Sequence, residues 1–324
     1  MYARRVLLAT IIAVTSAALF CSGMARADWP DHPIKWVVPF GPGGANDLIA
    51  RAAADGVSKR LGQPIVIDNK PGAGAIIGAD FVAKAKPDGY TWLIGAAGVV
   101  TNSILRTDMP YADADLMPVG MIAVAPSVIV VHPSVPANNL KEFVAWAKTQ
   151  PGGINWATAG GGSTPHFVAE MLRAAGVNIT IIPYKSGSEG MTAVLSNNVH
   201  ATSEASIVVL PQVKAGKLKA VATTYSKRIS AYDMLPTAQE QGFAGVLIGH
   251  WAGLFAPKGT PPAIVERMSK ELEAGVRSAD FRDKMVPSGI EPEPGTTANF
   301  VAFINAERDR LHTLAKKANM QADK

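Results

Sequence analysis

Short apolar runs of strand character alternate with helix-length amphipathic segments from residue 34 almost to the C-terminus, and this alternation leaves few folds open. Residues 34–40, 65–67, 91–94, 154–157, 179–183, 218–223 and 251–256 read as strands, and 119–131 as one long extended run. Between them 48–61, 75–85, 140–149, 165–175 and 189–197 read as helices, and 263–278 and 298–318 close the chain as two more. Strands apolar on both faces and separated by helices form parallel sheets with helices packed on either side, so an α/β fold is expected. No internal repeat or low-complexity linker interrupts the pattern. The runs at 119–131 and 243–256 are candidates for strands crossing between two lobes, with 28–124 plus 249–324 in one lobe and 125–248 in the other.

The N-terminus sets the compartment. Arg4 and Arg5 precede an apolar run of 15 residues, Val6 to Phe20, and Ala25-Arg26-Ala27 then gives a small-x-small cleavage site before Asp28. Basic, apolar and small residues in that order make a secretory signal over 1–27, and the run is shorter than the roughly 20 residues a spanning helix needs. An uncleaved anchor is the alternative. A lipoprotein would use Cys21, but Phe20 stands where such signals carry a small residue. Cys21 is the single cysteine, so cleavage leaves no thiol and no disulfide, and the core alone must hold the fold. Removing 27 residues from 324 leaves 297, enough for two ordinary lobes, and takes three arginines, lowering the formal net charge from +5 to +2. No basic stripe with interleaved aromatics points to nucleic acid.

Two loops carry the chemistry. Pro39-Phe40-Gly41-Pro42-Gly43-Gly44-Ala45-Asn46-Asp47 joins the first strand to the first helix. Its glycines permit positive φ and close backbone approach, and Asn46 or Asp47 can cap the helix. Open N–H groups at a helix start, backed by the macrodipole, bind anions, and ligands of open α/β sheets sit at strand carboxyl ends. Ala157-Thr158-Ala159-Gly160-Gly161-Gly162-Ser163-Thr164-Pro165-His166 repeats the design in the other expected lobe, with Thr164 as the expected N-cap and Pro165 at the first helical position. For either loop alone, a plain Gly/Pro turn is the competing reading. Two such loops, one per lobe, suggest a cleft.

Enzyme motifs fail on inspection. Gly72-Ala73-Gly74-Ala75-Ile76-Ile77-Gly78 has a last spacing one residue too long for a dinucleotide fingerprint, and no Gly-Lys-Ser/Thr follows a glycine pair. Ser163 lacks the second glycine of a nucleophile elbow. His166 and Glu170, four apart, are half a metal site without further ligands, and His166 reads better as a cleft-wall hydrogen-bonder. Glu204 follows a β-like stretch and either faces the cleft or is a solvated or salt-bridged structural acid. No catalytic set, metal or cofactor is expected.

At these loops the sequence resembles the substrate-binding receptors of tripartite tricarboxylate transporters, the Bug-type receptors. The resemblance rests on Val37-Val38-Pro39-Phe40 and Pro42-Gly43-Gly44 with Asp47, then on Asp68-Asn69-Lys70-Pro71-Gly72-Ala73-Gly74 and Pro87-Asp88-Gly89-Tyr90-Thr91. It continues in Gly162-Ser163 with His166, Pro183-Tyr184-Lys185, Lys214-Ala215-Gly216-Lys217-Leu218, Leu235-Pro236-Thr237, Trp251-Ala252-Gly253-Leu254 and Ala256-Pro257-Lys258-Gly259-Thr260-Pro261, nearly the whole mature chain. It implies a type II periplasmic-binding-protein fold whose cleft holds a carboxylate, partly through waters. The site residues it implies are Phe40, Pro42, Gly43, Gly44 and Asp47, with Ala96 and Ala97 beside them, and opposite them Gly162, Ser163, Thr164, His166, Tyr184 and Glu204. Where the family commonly has Asp before an Asn, this chain has Glu204 before Ala205, which alters that wall. The function so implied is a monomeric periplasmic receptor that captures a small organic acid and delivers it to the membrane permease subunits of such a transporter. A ligand-loaded sensor docking to a signalling partner is the alternative, and a hydrolase on a similar fold a more distant one.

Overall fold

The computed structural model describes residues 29–320; the expected leader 1–27, its Cys21 and the mature N-terminus Asp28 lie outside the described residues. The chain begins β1 (Ile34–Val38), α1 (Ala45–Leu61), β2 (Ile65–Asn69), α2 (Ile76–Ala83), β3 (Thr91–Gly95), α3 (Gly98–Leu105) and the long strand β4 (Leu116–Val131). It continues α4 (Leu140–Lys148), β5 (Ile154–Thr158), α5 (Thr164–Ala174), β6 (Ile179–Pro183), α6 (Gly187–Leu195), β7 (Ala201–Ala205), α7 (Ser206–Lys214) and β8 (Lys219–Thr223). β9 (Gly249–Pro257), α8 (Pro262–Arg277), α9 (Ala279–Met285), β10 (Glu291–Pro292) and α10 (Thr297–Ala318) complete it.

The strands run in the order β2-β1-β3-β9-β4-β7-β5-β6, with β8 and β10 also paired to β4. β1, β2 and β3 are mutually parallel, as are β5, β6 and β7, while β4 and β9 run antiparallel to their neighbours. β4 joins the two halves. It pairs with β9 from Leu116 to Pro126 and with β7 from Ser127 to Val131. Pro126 stands at that hand-over, and having no N–H it strands no donor where one ladder stops and the next begins. Pro118 sits at a register shift of the same strand, the other place a sheet tolerates proline.

Strand alternation supplies two cores per half. Ile34, Trp36 and Val38 of β1 join one cluster and Val37 the other; Ile129 and Val131 of β4 join a third, Val128 and Val130 a fourth. Both halves are therefore helix-covered sheets, the two-lobed α/β arrangement expected. Three helices escape the sequence pattern: α3, α7 and α9. α3 opens Gly-Val-Val-Thr and α7 contains Ile-Val-Val and Pro211, residues of weak helix propensity. Burial of Val99 and Val100, and of Val209 and Leu210, supplies what propensity does not.

α10 serves both halves. Phe300 and Ile304 pack with Trp251 and Phe255 in the first lobe, while Leu311 and Ala315 join the core of the second. The Phe300 ring lies edge-on to Trp251 at 5.9 Å and to Phe255 at 5.2 Å, directly over Gly253. A Cβ at Gly253 would stand 2.1 Å from the ring, which is buried and has no room to retreat. Gly253→Ala is therefore expected to cost about 1–3 kcal/mol through overpacking. Urea midpoints against the exposed control Val301→Ala check this, and equal midpoints would show that α10 shifts freely.

Candidate functional site

Each parallel strand delivers its carboxyl end to one edge of its sheet. The last β3–β9 pair is Gly95 with Gly253, and β7 ends with Ala205 opposite Ser127, so both edges converge on the joint where β4 changes partners. The loops Phe40–Gly44 and Ala96–Ala97 follow β1 and β3 at that edge of the first lobe, and Ala159–Ser163, Tyr184–Ser186 and Glu204 lie at the carboxyl ends of β5, β6 and β7 in the second. Leu105 of α3 reaches across: a Cβ on Gly162 would stand 2.7 Å from its Cδ1. On the other side of the joint, Ser206 Oγ donates to the Gly289 carbonyl (2.6 Å), Ser230 N–H to Glu291 (2.7 Å), and the Tyr225 hydroxyl to Glu293. Two surface hollows lie elsewhere, about 550 Å³ beside α8 and about 400 Å³ between α5 and α10, and neither gathers the glycine loops.

The first loop is built around Asp47. Its carboxylate accepts from the Gly43 N–H (2.9 Å), the Asn69 amide (2.9 Å) and the Arg51 guanidinium (3.0 Å), and the side chain is only 2 % exposed. Asn69 also donates to the Phe40 carbonyl (3.0 Å), tying β2 to the loop. Burial pushes the Asp47 carboxyl up, but Arg51, the Gly43 N–H and Asn69 together hold it below the ordinary carboxylate range. Asp47 thus fastens the loop, with its oxygens turned inward to the scaffold. Gly44, not Asn46 or Asp47, is the N-cap of α1, and no side chain caps it; Asn46 instead donates to the Trp251 carbonyl on β9 (3.2 Å). The Gly43 N–H is spent on Asp47, so the open donors at this helix start are the later N–H groups, from Gly44 on. Gly41, Pro42 and Gly43 are exposed, and Gly43 has φ +81°.

Asp47→Ala would leave Arg51, Asn69 and the Gly43 N–H without their shared acceptor. We expect a loss of about 3 kcal/mol in unfolding free energy. Chemical denaturation beside Asp283→Ala, an exposed control, measures it; equal losses would mean the loop does not depend on this carboxylate.

The second loop is held from within by its own helix. The His166 Nδ1 accepts the Gly162 N–H (3.1 Å) and Ser163 Oγ donates to the Gly160 carbonyl (2.7 Å). Gly160 and Gly162 both have positive φ. Ser163 is the N-cap, so Thr164 and Pro165 each sit one position further into α5 than expected. His166 Nε2 lies 3.8 Å from the Glu170 carboxylate, at ion-pair and not hydrogen-bond distance, and that carboxylate is engaged by Arg173. Tyr184, half-buried, takes its place through its N–H to the Thr158 carbonyl (2.9 Å).

Glu204 lies on β7 opposite Val128 and is 9 % exposed. Its carboxyl rests on Gly187 in the first turn of α6, where a Cβ would stand 1.9 Å from Oε1. Burial raises its pKa to about 7, and the Ala205 N–H at 3.3 Å only partly offsets this. On β9, opposite Ala125 at the joint, His250 has a buried Nε2 with no hydrogen-bond partner among the described residues, and burial lowers its pKa to about 4. The buried hydroxyls of Ser127 and Thr158 also lack partners among the described residues. The residues not foreseen are therefore Asn69, Arg51, Leu105, Gly187 and His250. Asp68-Asn69 stood in a recognised motif, and Arg51, one helical turn after Asp47, belongs to the Ala50-Arg51 pair of the same family pattern; nothing local marks the others.

Two helix-covered sheets joined by crossing strands, with glycine loops facing across the joint, define a two-lobed solute-binding receptor. The sequence matches the model of the tripartite tricarboxylate transporter family receptors over residues 49–320, and the chain belongs to that family. The structure of periplasmic binding protein BugD is similar, with 34 % identity, a TM-score of 0.80, and coverage of 91 % of this chain and 100 % of that one. So is R. palustris Rpa4515 with adipate, at 33 % identity and TM-score 0.83, covering 91 % and 99 %. MatC from Rhodopseudomonas palustris with bound malate follows at 29 % and 0.77, covering 88 % and 99 %.

Proposed function

We propose that this receptor captures a small carboxylate between its lobes in the periplasm and delivers it to the membrane permease subunits of a tripartite transporter, binding without catalysis. One observation carries the reading: two glycine loops, each opening a helix at a strand's carboxyl end, converge on the joint between the lobes. Phe40, Pro42, Gly43, Gly44, Ala96 and Ala97 form one wall, and Gly162, Ser163, Thr164, His166, Tyr184 and Glu204 the other, with Asp47 as the support of the first. The neighbours holding adipate and malate support a carboxylate here. We set the lobe boundaries near 124/125 and 248/249, a division supported by the change of β4 partner at Pro126–Ser127 and the start of β9 at Gly249, with the end of α10 packed on the second core. The mature chain starts at Asp28 and is a monomer.

Native mass spectrometry of protein taken from the periplasm tests this. It is expected to show a monomer beginning at Asp28 with a retained small acid that leaves chemically intact. A lipidated Cys21, or turnover of the released acid, would overturn it. Small-angle scattering should show the radius of gyration fall when that acid is added back to stripped protein, as a hinge closure requires.

A further inference from the structure

The wall around Glu204 bears on which carboxylates this cleft accepts. β7 carries Glu204 to the carboxyl end of the second lobe's parallel strands, one strand from β5, which the glycine loop follows, and against Gly187 of α6. Among the described residues no charged group forms an ion pair with it or shifts its titration. The residue opposite on β4 is Val128, the helix turn beneath is Gly187, and the chain continues as Ala205 and Ser206, whose hydroxyl is given to Gly289. Among the described residues no cation pairs with it, and its one donor is the N–H of the next residue, at 3.3 Å. More than nine-tenths of the residue is buried. Gly187 is the reason it fits: any Cβ there would occupy the space of the carboxyl. A carboxyl kept in such a seat is an acceptor awaiting a donor.

We propose that Glu204 receives the end of the ligand remote from its carboxylate, and that this end carries a hydrogen-bond donor, an amine or a hydroxyl, so that the receptor prefers amino or hydroxy monocarboxylates over dicarboxylates. The inference rests on the carboxylate reading above. The first carboxylate belongs to the helix-start loops; a second one at Glu204 would set two like charges together in a site with no counter-ion, which disfavours it. A donor there makes a charge-assisted hydrogen bond instead.

The test is isothermal titration at pH 8 with three straight-chain acid series of matched length, ending in an amine, a hydroxyl or a second carboxylate. Wild type is expected to bind the best donor-ended acid at least about tenfold more tightly than the dicarboxylate of the same length. Glu204→Gln, nearly isosteric, should reduce that preference by about tenfold or more, weakening the amine most and strengthening the dicarboxylate. Gly187→Ala, which drives the carboxyl from its seat, should move the ranking the same way with Glu204 intact. Circular dichroism confirms that each variant is folded. If dicarboxylates bind best and neither variant alters the ranking, the proposal falls while the receptor reading stands. If no series binds wild type, the carboxylate reading falls and takes this proposal with it.

Discussion

Gly43→Val is expected to lower ligand affinity by about 100-fold or more. Gly43 holds φ at +81°, a region that costs an ordinary residue about 1–2 kcal/mol and a β-branched one more. Among the described residues beyond its chain neighbours no atom lies within 4 Å of where its Cβ would be, so the damage does not come from a clash inside the protein. It comes from two other sources. The branched side chain would stand on the exposed face of the loop, over the helix start that we propose receives the carboxylate. Relief of the strained φ would also swing the Gly43 N–H away from Asp47, loosening the anchor that aligns Phe40, Asn69 and the start of α1. A factor of 100 is about 2.7 kcal/mol, roughly one strained residue plus one lost charge-assisted hydrogen bond. Ser163→Ala should cost less, about 1 kcal/mol, because it removes a single bond to the Gly160 carbonyl. Lys185→Met, at an exposed position, should change affinity least. Titration of the three variants with the acid retained from the periplasm gives the ranking. Loss of binding in Lys185→Met with retention in Gly43→Val would replace the backbone cradle by a lysine anchor.

The second large effect is on stability against pH. Glu204 and His250 are shifted in opposite directions, and their slopes should cancel over a common window. For Glu204 the ordinary value is 4.5 and the folded one about 7. Between these the folded chain keeps its proton and the unfolded chain has lost it, so stability falls as pH rises, by on the order of 3 kcal/mol once above pH 7. For His250 the ordinary value is 6.5 and the folded one about 4. There the unfolded chain holds the proton, so stability rises with pH across that span by a similar amount and is lost on acidification. Wild type is therefore expected to be nearly flat in these two contributions from about pH 4.5 to 6.5. Glu204→Gln should expose the rising slope of His250 and leave the protein more stable than wild type at pH 8. His250→Gln should expose the falling slope of Glu204. Urea denaturation at half-unit steps from pH 4 to 8 resolves the three curves. Parallel curves for wild type and Glu204→Gln would show that Glu204 ionises in the folded state as it does in water.

The sequence by itself determined what depends on neighbours along the chain. Alternating apolar runs and amphipathic segments specify strands and helices, and glycines and prolines between them mark the two loops, because backbone freedom and side-chain periodicity are local properties. The family motifs lie in those same loops, so the architecture and the position of the two loops at strand carboxyl ends were readable before any coordinates. α7 was not, because its β-branched residues and Pro211 favour other conformations and only burial overrides them. Nor was the role of Asp47, which depends on Asn69 arriving from the next strand. The placement of Glu204 against Gly187, the burial of His250 at the joint, and the reach of α10 from Phe300 in one lobe to Leu311 in the other were decided only by the tertiary structure. The charge a buried group can keep is set by what surrounds it in three dimensions, and its surroundings here come from segments far apart in the chain.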